Sequence, residues 1–353
     1  VGITGSNGKT TVKEMIASIL RQQNSDGQSD VLATSGNYNN ELGLPLSLFG
    51  LEKRHRYAVL EMGASQAGDI AYLAGIAQPD IGVITNVGPA HLKGFGSEEG
   101  VARAKGEIYE ALPEDGCAVI FGDQHWATMW RSINRAGRVI TFGQDVGNDV
   151  RVANRHGLET SHGNIPLDLP VPGVHNRVNA AAAAAVGLAL GIGTDDIAQG
   201  LAAFSPAPGR LELKYAEAGW TLIDDSYNAN PASLYSALKV LSEMQGKRWL
   251  VLGDMKELGE EGAKLHAEVG DAARSLGVDR MFAVGELSEA AVRSFGRGAE
   301  HFDDRETLIR ALLSEIRPGI HCLIKGSRSM GMEQVVRALE NAPAPPNRVR
   351  EAG

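Results

Sequence analysis

The chain has 353 residues, 43% hydrophobic and 22% charged, with a formal net charge of −9. That length suits two domains with their own cores, and the negative balance argues against a nucleic-acid partner, whose phosphates select a basic face. Cys117 and Cys322 lie far apart without metal-type spacing, and no apolar run nears the roughly 20 residues that span a bilayer, so a reduced, cytoplasmic protein without a membrane span is expected.

In chain order, an apolar strand predicted over residues 1–4 runs into Gly5-Ser6-Asn7-Gly8-Lys9-Thr10-Thr11 and then a helix over 10–22. The glycines let backbone N–H groups close on an anion, and the helix N-terminus points its partial positive charge at the same place. Lys9 supplies a point charge for terminal phosphates, and the Thr10 hydroxyl can ligate Mg²⁺. The spacing departs from G-x-x-x-x-G-K-[ST], because Ile3 stands five residues before Gly8. The strand–turn–helix context still makes this a nucleotide phosphate site. A chain whose first residue already lies in that strand is expected to lack an upstream part.

Further strands are predicted over 57–61, 81–85, 118–121 and 138–142, with helices over 67–77, 98–111 and 176–190. Alternation of this kind encodes a parallel sheet with crossover helices. Residues 150–170 read as a small antiparallel hairpin added to that sheet. Ser-Pro-Ala-Pro-Gly-Arg at 205–210 marks a boundary. Beyond it, strands over 221–224, 248–252, 280–284, 299–302 and 321–325 alternate with helices over 232–244, 263–276, 286–295, 305–315 and 330–340. The expected fold is α/β: a P-loop NTPase-like central domain with a mainly parallel sheet over 1–206, and a C-terminal Rossmann-like α/β domain over 207–341. A flexible tail is expected over 342–353.

Polar residues at predicted strand ends narrow the chemistry, since open α/β sheets bind ligands there. Glu61 ends an apolar run, where a carboxylate can face the phosphate loop and take Mg²⁺ or cap a helix. His91 follows the next strand and reads either as a packed loop residue or as a ligand. Lys105 lies inside a helix; the plain reading is a solvated lysine, the sharper one a buried amine of depressed pKa that adds CO₂ to become a carbamate. Asn37, Asn39 and Asn40 crowd a turn that can satisfy its own backbone or cover phosphates. Asn176 and Asn179 open an alanine-rich helix, where they can read a purine edge or cap the helix. Asp224-Asp225 and Lys325-Gly-Ser-Arg328 end strands of the second half, the former suited to a ribose or a cation and the latter to a small anion.

Together the blocks 4–11, 36–45, 61–65, 86–92, 175–182 and 225–231 resemble the Mur ligase family across essentially the whole chain. The block 225–231, with 252–259 and 325–328, is similar to the branch that adds D-Ala-D-Ala, and the Asp-Asn-Pro-Arg diaminopimelate-selecting motif is absent. The resemblance implies a three-domain family whose N-terminal UDP-sugar domain is not in this chain. It implies ATP-driven, ADP-forming amide synthesis on a UDP-MurNAc-tripeptide in peptidoglycan precursor synthesis, through an acyl phosphate attacked by D-Ala-D-Ala. Lys9, Lys105 and His91 are then catalytic. Gly5, Ser6, Asn7, Gly8, Lys9, Thr10, Thr11, Asn40, Asn176, Asn179, Arg210 and Asp225 bind ATP. Mg²⁺ is held by Thr10, Glu61, His91 and carbamylated Lys105. Tyr227, Asn228, Asn230, Lys325, Ser327 and Arg328 face substrate. A monomer with a hinge near 206–210 is expected. The rivals are a folylpolyglutamate synthase-like ligase, a small-molecule P-loop kinase, and a non-catalytic ATP-binding fragment.

Overall fold

Val59, Val83 and Val119 alternate with Leu60, Ile84 and Ile120, so successive side chains of each strand enter opposite faces of one sheet and both faces must be covered. The computed structural model describes residues 1–23, 30–88 and 92–343, and the chain divides into two units, Val1–Ala207 and Pro208–Gly353.

The first unit runs β1 (Gly2–Thr4), α1 (Lys9–Arg21), β2 (Val31–Ala33), α2 (Gly43–Leu48), β3 (Tyr57–Glu61), α3 (Asp69–Ala77), β4 (Ile81–Ile84), α4 (Leu92–Phe95), α5 (Glu98–Glu110), β5 (Cys117–Phe121), α6 (Ala127–Ile133) and β6 (Arg138–Gly143). It continues with β7 (Val150–Asn154), β8 (Gly157–Thr160), β9 (Gly163–Pro166), α7 (Val174–Ala189) and α8 (Thr194–Ala203). The sheet order is β2-β3-β1-β4-β5-β6-β7-β8-β9, parallel as far as β7. Residues of α1, α7 and α8 close one face; α3, α5 and α6 close the other. Each fully buried aliphatic side chain contributes about 1.5–3 kcal/mol. Ala180 to Ala185 are all 0% exposed, and their small side chains let α7 lie close on the sheet. The phosphate loop follows β1, whose neighbours β3 and β4 lie on either side, at the switch point where such sheets open a crevice.

The second unit runs β10 (Glu212–Tyr215), β11 (Thr221–Asp225), α9 (Pro231–Ser242), β12 (Lys247–Gly253), α10 (Gly262–Ser275), β13 (Arg280–Val284), α11 (Ser288–Phe295), β14 (Ala299–Phe302), α12 (Arg305–Glu315), β15 (Ile320–Lys325) and α13 (Glu333–Glu340). Its order is β10-β11-β15-β12-β13-β14, with β10 antiparallel and the others parallel. Two hydrophobic clusters cover the two faces of this sheet. Asn230 caps α9 through a reciprocal capping box with Ser233, and Pro231 supplies a preset φ at the first turn.

The structure bears out an antiparallel addition at 150–170 and extends it from a hairpin to three strands. β7 joins β6 in parallel, and β8 and β9 follow as an antiparallel meander. The short helices α2 and α6 and the edge strand β10 were not anticipated, because one or two turns or a single alternation carry little periodicity. The ten-residue α8 was missed as well. Helix starts shift where backbone geometry overrides composition: α3 begins at Asp69, after Gly68 at φ +89°. The expected tail falls, from residue 344 on, outside the described residues.

Candidate active site

The phosphate loop is shaped by two glycines and clamped by the strand beside it. Gly5 sits at φ +150°, and a Cβ there would lie 1.9 Å from Thr85 Oγ1. Gly8, at φ +81°, precedes α1, and a Cβ there would meet Asn179 Oδ1 at 2.7 Å. Neither position admits a side chain. Asn86, just past β4, accepts Ser6 N–H on its carbonyl at 2.9 Å and Asn7 N–H on its Oδ1 at 3.0 Å. Its Nδ2 donates to Asn7 O at 2.9 Å, and Thr85 Oγ1 donates to the same carbonyl at 2.6 Å. Lys9 Nζ donates to Gly5 O at 2.8 Å, so the cation lies over the loop.

Glu61, at the end of β3, is 3% exposed. Thr10 Oγ1 donates to its Oε2 at 2.7 Å and Asn39 Nδ2 to its Oε1 at 2.8 Å, while its own N–H donates to Thr34 Oγ1 at 3.0 Å. Hydroxyl and carboxylate oxygens side by side are donors that suit Mg²⁺. Among the described residues no group of three His, Cys, Asp or Glu could hold a metal.

A cavity of about 280 Å³ opens on this loop, lined among others by Ser6, Lys9, Asn39, Asn40, Ser65 and Lys105. Lys105 on α5 is 3% exposed. Burial, and secondarily the Lys9 charge, lowers its amine from 10.5 to about 7. The solvated reading of Lys105 is therefore excluded: Val101, Ala102, Ala104 and Ile108 on the same helix are buried with it. Its Nζ lies 5.9 Å from the centre of the Phe95 ring.

The other expected residues of this unit fall as follows. Thr11 is half-buried on α1, and Asn40 Oδ1 accepts Gly43 N–H at 2.8 Å, starting α2 while lining the cavity. Asn176 and Asn179 are buried, and neither caps α7, whose N-cap is Gly173, with no side-chain cap. Asn176 Nδ2 instead donates to Pro172 O at 2.7 Å, and Asn179 Nδ2 to Asn176 Oδ1 at 3.2 Å. His91 lies outside the described residues. Asn86, Thr85, Thr34, Lys13 and Ser65 are not among the residues that the sequence singles out, whereas Asn39, in the turn expected to cover phosphates, is brought to Glu61. For Asn86 and Thr85, a polar pair directly after an apolar strand was the available signal.

In the second unit, β11 and β15 are neighbours and bring the two expected strand-end clusters together. Lys325 Nζ donates to Asp225 Oδ2 at 2.5 Å and to Asn228 O at 2.9 Å, all but removed from solvent. Asp225 Oδ1 accepts Leu211 N–H at 3.2 Å; burial pushes this carboxyl up from its ordinary value, and the Lys325 charge opposes the rise. Lys325 is thus paired within this turn cluster, and Asp224 is held by the Ser226 hydroxyl at 2.6 Å. Asn230 is the cap of α9. Ser327 Oγ accepts Lys256 N–H at 2.8 Å. Half-buried Arg210 and exposed Arg328 lie 4.2 and 5.5 Å from the Tyr227 ring centre, and Arg328 also pairs with Glu333 at 3.6 Å.

A phosphate loop at the switch point of a parallel sheet, an acidic strand end against its threonine and a buried low-pKa lysine define a nucleotide-dependent P-loop enzyme unit, followed here by a Rossmann-like one. The chain belongs to the Mur ligase family: residues 3–187 match the Mur ligase middle domain and residues 209–328 the Mur ligase glutamate ligase domain. It is 43% identical to the UDP-N-acetylmuramoyl-tripeptide–D-alanyl-D-alanine ligase of Escherichia coli K12, a match covering 96% of this chain and 76% of the relative. A crystal structure of MurF from Acinetobacter baumannii superposes with a TM-score of 0.87 at 35% identity, covering 96% of this chain and 76% of that one. MurF ligase from Thermotoga maritima, solved in complex with ADP, gives a TM-score of 0.85 at 31% identity, with 96% and 78% covered.

Proposed function

We propose that this chain forms the catalytic part of an ATP-dependent, ADP-forming ligase that adds D-Ala-D-Ala to a UDP-MurNAc-tripeptide in peptidoglycan precursor synthesis. The near-full-length likeness to ligases of that specificity carries the reading. The loop amides and Lys9 hold the terminal phosphates of ATP, and the clamp from Thr85 and Asn86 fixes that cradle before the nucleotide arrives. The tripeptide carboxylate attacks the γ-phosphorus and ADP leaves, giving an acyl phosphate. The D-Ala-D-Ala amine then attacks its carbonyl carbon, and inorganic phosphate departs as the amide forms. Positioning and charge neutralisation suffice, with no side-chain nucleophile.

The oxygen donors at Thr10 and Glu61 fit Mg²⁺, which when bound would neutralise phosphate charge. The neutral Lys105 amine can attack CO₂, forming a C–N bond and releasing a proton; the resulting carbamate would be a further oxygen donor, with His91 as the family resemblance implies. Asn40, Asn176 and Asn179 shape the nucleotide side. Arg210 and Arg328, stacked on Tyr227, with Asn228 and Ser327, serve phosphate or substrate, while Asp225, Lys325 and Asn230 hold their turns. A cytoplasmic monomer completes the proposal; no helix among the described residues is long and apolar enough to cross a membrane.

The test is phosphate release from ATP by the full-length protein, with UDP-MurNAc-tripeptide and D-Ala-D-Ala varied independently. Release that requires both, with the pentapeptide product seen by mass spectrometry, is expected. Release that needs neither, or none at all, would reduce the chain to a nucleotide-binding scaffold.

A further inference from the structure

Lys13 is an anomaly on α1. The helix buries Val12, Met15, Ile16, Ile19 and Leu20, and among these aliphatic residues lies a lysine whose side chain is 3% exposed. A long cation in such surroundings is costly to desolvate and persists when its ammonium is fully engaged. Its Nζ donates to Thr34 O at 2.5 Å and pairs with Glu14 Oε1 at 2.8 Å.

Thr34 is the link that gives this contact a consequence. It directly follows β2 and is 1% exposed. Its N–H donates to Val59 O at 3.0 Å, and its hydroxyl accepts the N–H of Glu61 at 3.0 Å. Glu61 in turn accepts from Thr10, which sits three residues before Lys13 on the same helix. The contacts therefore close a ring: Thr10 to Glu61 through the carboxylate, Glu61 to Thr34 through the backbone, Thr34 to Lys13 through its carbonyl, and Lys13 back to Thr10 along α1. Asn39 fixes the remaining carboxylate oxygen from outside the ring.

We propose that Lys13 and Thr34 are positioning residues for Glu61, setting the spacing between its carboxylate and the Thr10 hydroxyl that the cation paired with the nucleotide would need. The inference rests on the assignment of Glu61 and Thr10 to that cation. Opening the ring leaves the phosphate cradle intact, since that is held from Thr85 and Asn86. The loss should appear in the Mg²⁺ requirement and not in the cradle's own hold on phosphate.

The experiment is calorimetric titration of the full-length protein with ADP at a series of Mg²⁺ concentrations, for wild type, Lys13→Met, Thr34→Val, Thr34→Ser and Glu61→Gln. Supporting residues around metal ligands typically change metal affinity 10–100-fold, so Lys13→Met and Thr34→Val should raise the Mg²⁺ needed for half-maximal enhancement by about 10-fold. Binding of ADP without Mg²⁺ should stay within about 2-fold, because the cradle is untouched. Thr34→Ser, which keeps the hydroxyl, should restore wild-type behaviour and separates positioning from packing; the Thr34 pair also decides the matter if Lys13→Met does not fold. Wild-type Mg²⁺ dependence in Thr34→Val, or equal damage in Thr34→Ser, overturns the proposal. Should Glu61→Gln leave the Mg²⁺ dependence unchanged, the assignment of Glu61 to the cation falls and the proposal with it; a response in Glu61→Gln alone removes only the roles of Lys13 and Thr34.

Discussion

At Lys105 the environment, more than the residue type, sets the chemistry. An amine near 7 inside the fold and near 10.5 in the unfolded chain takes up a proton on unfolding at any pH between those values. Unfolding that binds protons becomes less favourable as pH rises, so the penalty of burying Lys105 is fully present below about pH 7 and fades towards pH 10. In CO₂-free buffer, urea unfolding of wild type and Lys105→Met should therefore show wild type gaining on the variant as pH rises from 7 to 10. A constant difference would contradict a neutral buried amine. Adding ¹³C-bicarbonate should then give a carbamate carbon resonance in wild type that Lys105→Met lacks. Composition alone left Lys105 undecided, because burial of one helix face depends on which strand it packs against. Lys9, Thr10 and Glu61 were legible because loop and strand-end positions fix their direction locally. Lys325 was legible as a cation at a turn, but its partner Asp225 lies 100 residues away and comes from strand order.

At the scale of elements, the close pairs of helices are set by small residues. A Cβ on Gly200 of α8 would lie 2.4 Å from Ile19 Cα on α1, and Ser18 Oγ donates to Gly200 O at 2.7 Å across the same contact. Backbone cannot yield as a side-chain tip can, so Gly200→Ala should cost about 1–3 kcal/mol through overpacking despite better helix propensity. A lowered urea midpoint with unchanged slope would show it; an unchanged midpoint would mean that α8 shifts freely. Long periodic helices such as α1, α5 and α7 could be read from the chain to within two residues. The shortest, α2, α4 and α6, could not, and the meander at 150–166 was underestimated because turns by themselves do not reveal how many strands follow.

At the scale of the whole molecule, each unit carries hydrophobic clusters on both faces of its own sheet. Residues 208–341 expressed alone should therefore unfold in one cooperative thermal transition, followed by circular dichroism; a broad, non-cooperative melt would show that the second unit depends on the first. Alternation of strand and helix announced two such units, whereas strand order, which builds both sites, depends on pairings that no local segment encodes. The rims of these sheets have a consequence of their own. The nine-stranded sheet ends on the three-residue β2 and on β9, which closes with Pro166; the six-stranded one ends on two strands of four residues, β10 and β14. A neighbouring copy in a crowded solution meets little free backbone onto which it could zip, so templated stacking into fibrils finds little footing at the outer strands.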